Sequence, residues 1–180
     1  MNHSHWRRSG LQFHQILVVS AHKTTASQLG EILRGLGTHG DIAWTASQAA
    51  AFELTARLKP KLLFVERAGH FDGLNFVREL RRSALCAKKA PVILLSEGRT
   101  VGDLRSAQNA GVHEFLVLPL EPEPLLRRLN AICGAPRPWI EAAAYVGPDR
   151  RRFNSAEEQS EGERRKRKTA AKVIPIPARP

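Results

Sequence analysis

The chain has 180 residues, 28 Lys and Arg against 17 Asp and Glu, a formal charge of +11 and an apolar fraction of 42%. Such a length holds one domain of about 120 to 130 residues with appendages, and the apolar share excludes a wholly disordered protein. The cationic excess points to a polyanionic partner, while Cys86 and Cys133, far apart and without a CxxC pairing, exclude a disulfide framework or a zinc site and fit a reducing cytoplasm.

Residues 1–12, with His3, His5, Trp6, Arg7 and Arg8, form a flexible basic leader. The first apolar run, 16–19, is far too short for a signal or membrane segment, so a cytoplasmic protein with no transmembrane segment is expected. From Ile16 to Cys133 short β-type runs alternate with amphipathic stretches, five of each, the pattern of a doubly wound parallel sheet. The predicted strands are 16–20, 41–45, 62–66, 92–96 and 115–118, three of them nearly all apolar, as strands buried on both faces must be. The first helix is placed at 25–36, where Leu29, Ile32, Leu33 and Leu36 recur at helical spacing and Gly37 closes it. The second, at 47–58, has Ser47 as N-cap and Pro60 beyond its end. The other three are placed at 75–82, 101–110 and 122–132. Gly134 and the prolines at 136 and 138 then break the pattern, so the folded domain spans 13–134. The tail 135–180 buries too little to offset its ordering entropy and is expected to be disordered when free.

Landmarks along the domain make the pattern specific. Ile16-Leu17-Val18-Val19 suits a first strand, Phe71-Asp72-Gly73-Leu74 the turn after the third, and Pro91 to Ser96 the fourth; Ala110-Gly111-Val112-His113-Glu114 leads into the fifth strand and Pro119. Together these resemble a response-regulator receiver domain, with the flavodoxin/CheY-like fold, over about two thirds of the chain. That resemblance implies an acidic pair after the first strand to hold Mg²⁺, an Asp after the third to accept phosphate and a Lys after the fifth. Here the acidic pair falls on Ser20 and Ala21, the phosphoacceptor position on or beside Glu66, and the lysine on Leu118; only Ser96 keeps the expected hydroxyl. Without the loop carboxylates Mg²⁺ is not held against its hydration, and phosphoryl transfer lacks charge neutralisation. No phosphorylation, no Mg²⁺ or other cofactor, no metal site and no enzyme activity are expected. Glu66 reads either as a permanent mimic of a phosphorylated side chain or as an ordinary charged residue at a strand mouth. His22, His70 and His113 could meet at one edge of the sheet, but their isolated loop positions favour solvated side chains over a metal site.

The tail is the informative part. Trp139 and Tyr145 are interleaved with Arg137, Arg150, Arg151 and Arg152, and Gly147-Pro148 is placed as a turn that lets Tyr145 and Arg150 face one ligand. A guanidinium fork binds phosphate or guanine O6 and N7, an aromatic ring stacks on a base, and the Asp149 carboxylate can accept from guanine N1 and N2. A receiver lacking its phosphorylation residues and followed by this segment resembles the Cle proteins, CheY-like effectors of cyclic di-GMP. The resemblance implies binding of cyclic di-GMP by Trp139, Tyr145, Gly147, Pro148, Asp149, Arg150, Arg151, Arg152 and Asn154. It further implies recruitment to the flagellar basal body and docking on the flagellar motor switch protein, which reduces motility and promotes surface attachment. The second basic run, Arg164 to Lys168, reads equally as a solvated tail or a supporting contact. The competing class is a nucleic-acid-binding or scaffolding adaptor that uses the basic tail for nonspecific contacts, and its affinity would fall steeply with salt.

Overall fold

A computed structural model describes residues 15–37, 40–68, 72–98, 100–134 and 136–152. Five strands, β1 (Gln15–Val19), β2 (Asp41–Thr45), β3 (Leu62–Arg67), β4 (Val92–Ser96) and β5 (Glu114–Val117), alternate with α1 (Lys23–Gly35), α2 (Gln48–Leu58), α3 (Gly73–Arg82), α4 (Val101–Ala110) and α5 (Pro122–Gly134). The sheet is parallel throughout in the order β2-β1-β3-β4-β5. This is the flavodoxin-like, doubly wound arrangement expected from the sequence. Covering both faces with helices demands apolar side chains on both, and the period of two along each strand sorts them. Leu17, Val19, Leu63, Val65 and Leu94 pack with Phe76, Val77 and Leu80 of α3. Ile16, Val18, Phe64, Ile93 and Leu95 pack with Leu29 and Leu33 of α1 and Leu125 and Leu129 of α5.

Local chemistry sets the helix ends. Ser47 Oγ accepts from Ala50 N at 3.4 Å, and Asp72 Oδ1 accepts from Asn75 N at 3.0 Å. Thr100 and Asp103 form a reciprocal capping box at α4, which closes on Gly111 in the left-handed region at φ 88°. Gly73 opens α3 because a Cβ there would come within 2.3 Å of Glu66 O. Every predicted strand and helix is present, with ends shifted by up to two residues.

The sequence pattern and the structure part company after α5. Residues 136–152, expected to be irregular, form an antiparallel hairpin of β6 (Trp139–Ala142) and β7 (Tyr145–Pro148), followed by a 3-10 turn, Arg150–Arg152. β7 lies against both α3 and α4. The chain turns at Ala143 and Ala144, so Gly147 and Pro148 belong to the strand and are not the turn. Gly147 meets Gly111 where a Cβ would stand 2.9 Å from Gly111 Cα and 2.6 Å from Tyr145 Oη, so strand and helix end approach without side chains between them. Tyr145 is buried, and its hydroxyl donates to Pro148 O at 2.6 Å. The remaining tail and the leader lie outside the described residues.

Arg81 of α3 holds this corner. Its guanidinium is 1% exposed and donates to Gly111 O (2.9 Å), Lys88 O (2.5 Å) and Ala90 O (2.9 Å), with His113 Nδ1 at 3.2 Å. Desolvation lowers its pKa to about 9, partly opposed by Tyr145, so it stays charged at neutral pH. His113 Nδ1 also accepts from Val92 N at 3.3 Å, which leaves the ring proton on Nε2. Burial, then the neighbouring Arg81 and Arg137 charges, push the imidazole well below its ordinary value. At the root of the hairpin Arg137 reaches Glu114 of β5, which also pairs with Arg128 of α5 at 3.4 Å, all three side chains being buried.

Two outcomes follow from this corner. Gly147→Ala is expected to destabilise the protein by about 1 to 3 kcal/mol through overpacking; hydrogen exchange should speed up at residues 139–148 and not in β1 to β4, and uniform loss of protection would refute the local account. Native His113 remains neutral where the unfolded chain takes up a proton, so stability falls as pH drops below about 6.5, by up to about 1.4 kcal/mol per pH unit. Urea unfolding at pH 7.5 and 5.5 should therefore show a loss of about 1 kcal/mol that shrinks in His113→Asn, which keeps an acceptor for Arg81; equal losses in both proteins would remove the assignment.

Candidate functional site

The positions that carry receiver chemistry meet at the C-terminal ends of the strands. Parallel register sets Val19 beside Val65, Glu66 beside Leu95, Arg67 beside Ser96, and Ser96 beside Val117. Ser20, immediately after β1, is fully buried and its Oγ donates a short hydrogen bond to Glu66 Oε2. The same Oγ accepts from His22 N at 3.0 Å. Glu66 is 2% exposed, so it is a buried, hydroxyl-bonded carboxylate and not a solvated charge at the strand mouth. Ser96 is buried, Ala21 is half-buried, and Leu118 packs against the apolar layer beneath α1 and α5. Leu118 N donates to Ser96 O at 2.9 Å, ahead of the cis Leu118–Pro119 bond.

This donor set does not fit Mg²⁺. A hard cation wants several negatively charged oxygens, and Ser20 and Ala21 supply none, while Glu66 already accepts from Ser20. Among the described residues no group of three or more His, Cys, Asp or Glu is placed to hold a metal ion. Arg67 turns outward from β3 to Asp103 of α4, and this hydrogen bond, with those from Thr100, holds the Asp103 carboxyl down at about 2. His22 lies at this end of the sheet and His113 at the other, so the two do not meet; His70 is outside the described residues. Half-buried and bonded to Arg81, His113 is not the solvated side chain expected of it.

The second candidate region is at the opposite end of the sheet. In the hairpin Trp139 is the register partner of Pro148, and Asp149 N donates to Pro138 O at 2.8 Å, so the chain from Asp149 to Arg151 leaves the hairpin at its root. Arg150 Cζ stands 4.4 Å from the Tyr145 ring centroid, and its Nη1 donates to Asn109 Oδ1 of α4 at 2.7 Å. Tyr145 and Arg150 thus face each other, not a common ligand, and the buried phenol, whose pKa burial raises, anchors the hairpin. Trp139 is half-buried, with Arg81 Cζ at 5.4 Å and Lys89 Nζ at 5.9 Å from its ring, and its Nε1 donates to Glu141 Oε1 at 2.8 Å. Asp149 Oδ1 accepts from Arg151 N at 3.0 Å, and the Arg151 side chain is exposed. Arg152 ends the 3-10 turn; Asn154 and Arg164 to Lys168 lie outside the described residues.

Sequence reasoning missed Arg81, Lys89 and Asn109, and it placed Arg137 among the tail arginines without its buried pairing to Glu114. One signal was available for Arg81: it continues the apolar stripe of Leu74, Val77 and Leu80, where a charge implies a buried partner set. Arg137, between two prolines, gave no such sign.

The response regulator receiver domain family matches this chain over residues 16–130. Chemotaxis protein CheY1 of Helicobacter pylori is 27% identical over 115 residues, 62% of this chain and 85% of that protein. The circadian input-output histidine kinase CikA of Synechocystis sp. is 26% identical over 118 residues, 65% of this chain but only 15% of the kinase. Among solved structures, a response regulator from Thermotoga maritima has a TM-score of 0.59 at 22% identity, covering 68% of this chain and 99% of that one. Chemotaxis protein CheY4 of Vibrio cholerae also scores 0.59, at 18% identity over 67% of this chain and 98% of that one. These structural likenesses establish the fold, and the hairpin lies beyond the family match. With its sheet order, its helices and most of its length inside that match, the chain belongs to the response regulator receiver domain family.

Proposed function

We propose that this protein is a phosphorylation-independent signalling receiver that senses cyclic di-GMP through the hairpin corner and docks on the flagellar motor switch protein, reducing motility and promoting surface attachment. The observation that carries the reading is the make-up of the hairpin and the turn after it: a half-buried indole at Trp139, the Asp149 carboxylate, and the guanidinium groups of Arg150, on the Tyr145 ring, and Arg151. Cyclic di-GMP offers matching groups. Its bases stack on an indole, guanine O6 and N7 accept from an arginine fork, and N1 and N2 donate to a carboxylate. Among the described residues the Arg151 side chain is exposed and enters no ion pair, only its backbone N being engaged. Ligand phosphates neutralise the guanidinium charges, and the changed corner becomes part of the docking surface.

Two further observations support the reading. The pocket at the other end of the sheet has a carboxylate bonded to Ser20 and a leucine in the lysine position, which suits a protein that works by binding, without Mg²⁺ and without catalysis. Likeness to a chemotaxis protein, CheY1, favours a motility partner. Among the described residues no helix is long and apolar enough to cross a membrane, in keeping with a cytoplasmic protein recruited to the flagellar basal body. A nucleic-acid-binding or scaffolding adaptor is the alternative that the charge of +11 favours.

Calorimetric titration of cyclic di-GMP, cyclic di-AMP and a short DNA duplex across one salt series separates these readings. Saturable binding selective for the guanine dinucleotide is expected, weakened about tenfold or more in Arg150→Ala/Arg151→Ala, as for loss of charge-assisted contacts. DNA binding that falls steeply with salt and shows no preference for cyclic di-GMP would favour the adaptor. Incubation with acetyl phosphate and Mg²⁺ is expected to add no phosphoryl group by intact-mass measurement; stoichiometric addition at Glu66 would end the phosphorylation-independent account.

A further inference from the structure

The hairpin corner has a second wall, and that wall belongs to the receiver body. The short 3-10 turn Cys86–Lys89 runs beside the hairpin and presents Lys89 to the Trp139 ring and Lys88 to Glu141. Their situations differ. Lys88 is half-buried and pairs with Glu141 at 3.2 Å. Lys89 is exposed and enters no ion pair among the described residues, with its ammonium 5.9 Å from the indole centroid and only a minor influence on Glu141. Arg81, also near the ring, is committed to three carbonyls and His113.

Lys89 also lines a cleft of about 150 Å³ with His113, Glu114, Pro136 and Arg137. Its carboxylate, Glu114, is bonded to Arg128 and Arg137, so it does not oppose an incoming anion with an uncompensated charge. A cation held only loosely on an aromatic face can swing to a phosphate without abandoning a buried partner, and the ring it leaves remains available for stacking. Asp149 follows Pro148, the register partner of Trp139, and its N donates to Pro138 O, so Asp149 and then Arg151 leave the hairpin root next along the chain.

We infer that Lys89 is a ligand-contacting residue, binding one phosphate of an anionic dinucleotide whose base lies on Trp139, so that the site is composite: one wall from the hairpin and one from the receiver body. The inference rests on the cyclic di-GMP reading and deepens it. The folded body is then part of the sensor and not only a platform for it. Because the hairpin is docked through Gly111, Gly147 and Arg81, the spacing between Lys89 and Trp139 is set before the ligand arrives.

Calorimetry on the full chain with cyclic di-GMP as probe tests this. Lys89→Ala should weaken binding about fivefold to tenfold and flatten its salt dependence, as expected for loss of one phosphate contact. Lys89→Arg should stay within about twofold, since the charge is kept at the same reach. Arg34→Ala, on α1 across the sheet, is the control for net charge alone. In ¹H–¹⁵N spectra of the wild type, amides 86–90 should shift during the titration along with those of 149–152. Lys89→Ala at wild-type affinity with Arg151→Ala impaired would overturn the composite site and leave the hairpin reading standing. Loss of equal size in Arg34→Ala would also overturn it, by showing that total charge is what matters. Absence of cyclic di-GMP binding by the wild type would remove the underlying reading and the inference with it.

Discussion

One buried cation fixes the geometry of the hairpin end of this molecule. Arg81 sits where α3 ends, fully enclosed, and ties together Lys88 and Ala90 of the 3-10 turn, the Gly111 cap of α4, His113 ahead of β5 and the Trp139 ring of the hairpin. Taking a guanidinium out of water is unfavourable by several kcal/mol unless its donors are met; here each nitrogen meets an acceptor. The same arithmetic makes the arrangement rigid, since removing the arginine would leave several carbonyls without their donor, at about 1 to 3 kcal/mol apiece where they stay dry. A lysine could not stand in, because a single ammonium does not present the divergent N–H vectors that reach three carbonyls on two backbone segments and the His113 ring.

The two ends of the sheet have diverged. Open α/β sheets place their chemistry beyond the carboxyl ends of the strands, and there this chain holds a serine bonded to a buried glutamate, with Leu118 in the apolar layer nearby. Its elaboration is at the amino ends instead. Helix α4 spans the distance between them: Asp103, at its first turn, holds Arg67 beside Glu66, and Asn109, at its last, holds Arg150 beside Tyr145. The Ser20–Glu66 pocket and the hairpin corner are therefore attached to the same rigid element, at opposite ends.

The sheet and its helices were legible because their signals are local or strictly periodic. Val92–Ser96 is an unbroken apolar run ending in serine, and Thr100, Asp103 and Gly111 bracket α4 with cap chemistry that needs no tertiary information. The hairpin had neither kind of signal. Its turn is Ala143-Ala144, with no Gly, Asn or Asp, and β7 contains Gly147 and Pro148, two poor strand formers. What stabilises it is tertiary: Tyr145 buried, Gly147 pressed against Gly111, Arg137 inserted beside Glu114. Composition alone marked Trp139, Asp149, Arg150 and Arg151 as a group; in the structure Trp139 lies beside Arg81 and Lys89, and Arg150 lies on Tyr145. Composition could not separate the ring that anchors, Tyr145, from the ring at the rim, Trp139, since that depends on which face meets α4.

Charge by itself does not explain what this corner would select. Of the net +11, five charges come from the uninterrupted run Arg164 to Lys168, outside the described fold. Within 136–152 there are four arginines against Glu141 and Asp149, and one of those arginines, Arg137, is paired with Glu114 inside the body. Few cations are left to meet an anion at the surface, too few to hold a long polyanion by counterion release alone, where affinity grows with the number of phosphates neutralised. Discrimination at such a site has to come from shape and directed hydrogen bonds: an indole of fixed position, a carboxylate whose backbone is bonded to Pro138, and a guanidinium stacked on a tyrosine. The dinucleotide proposed as ligand presents a flat base and a phosphate at fixed separation, the features such a corner would have to read.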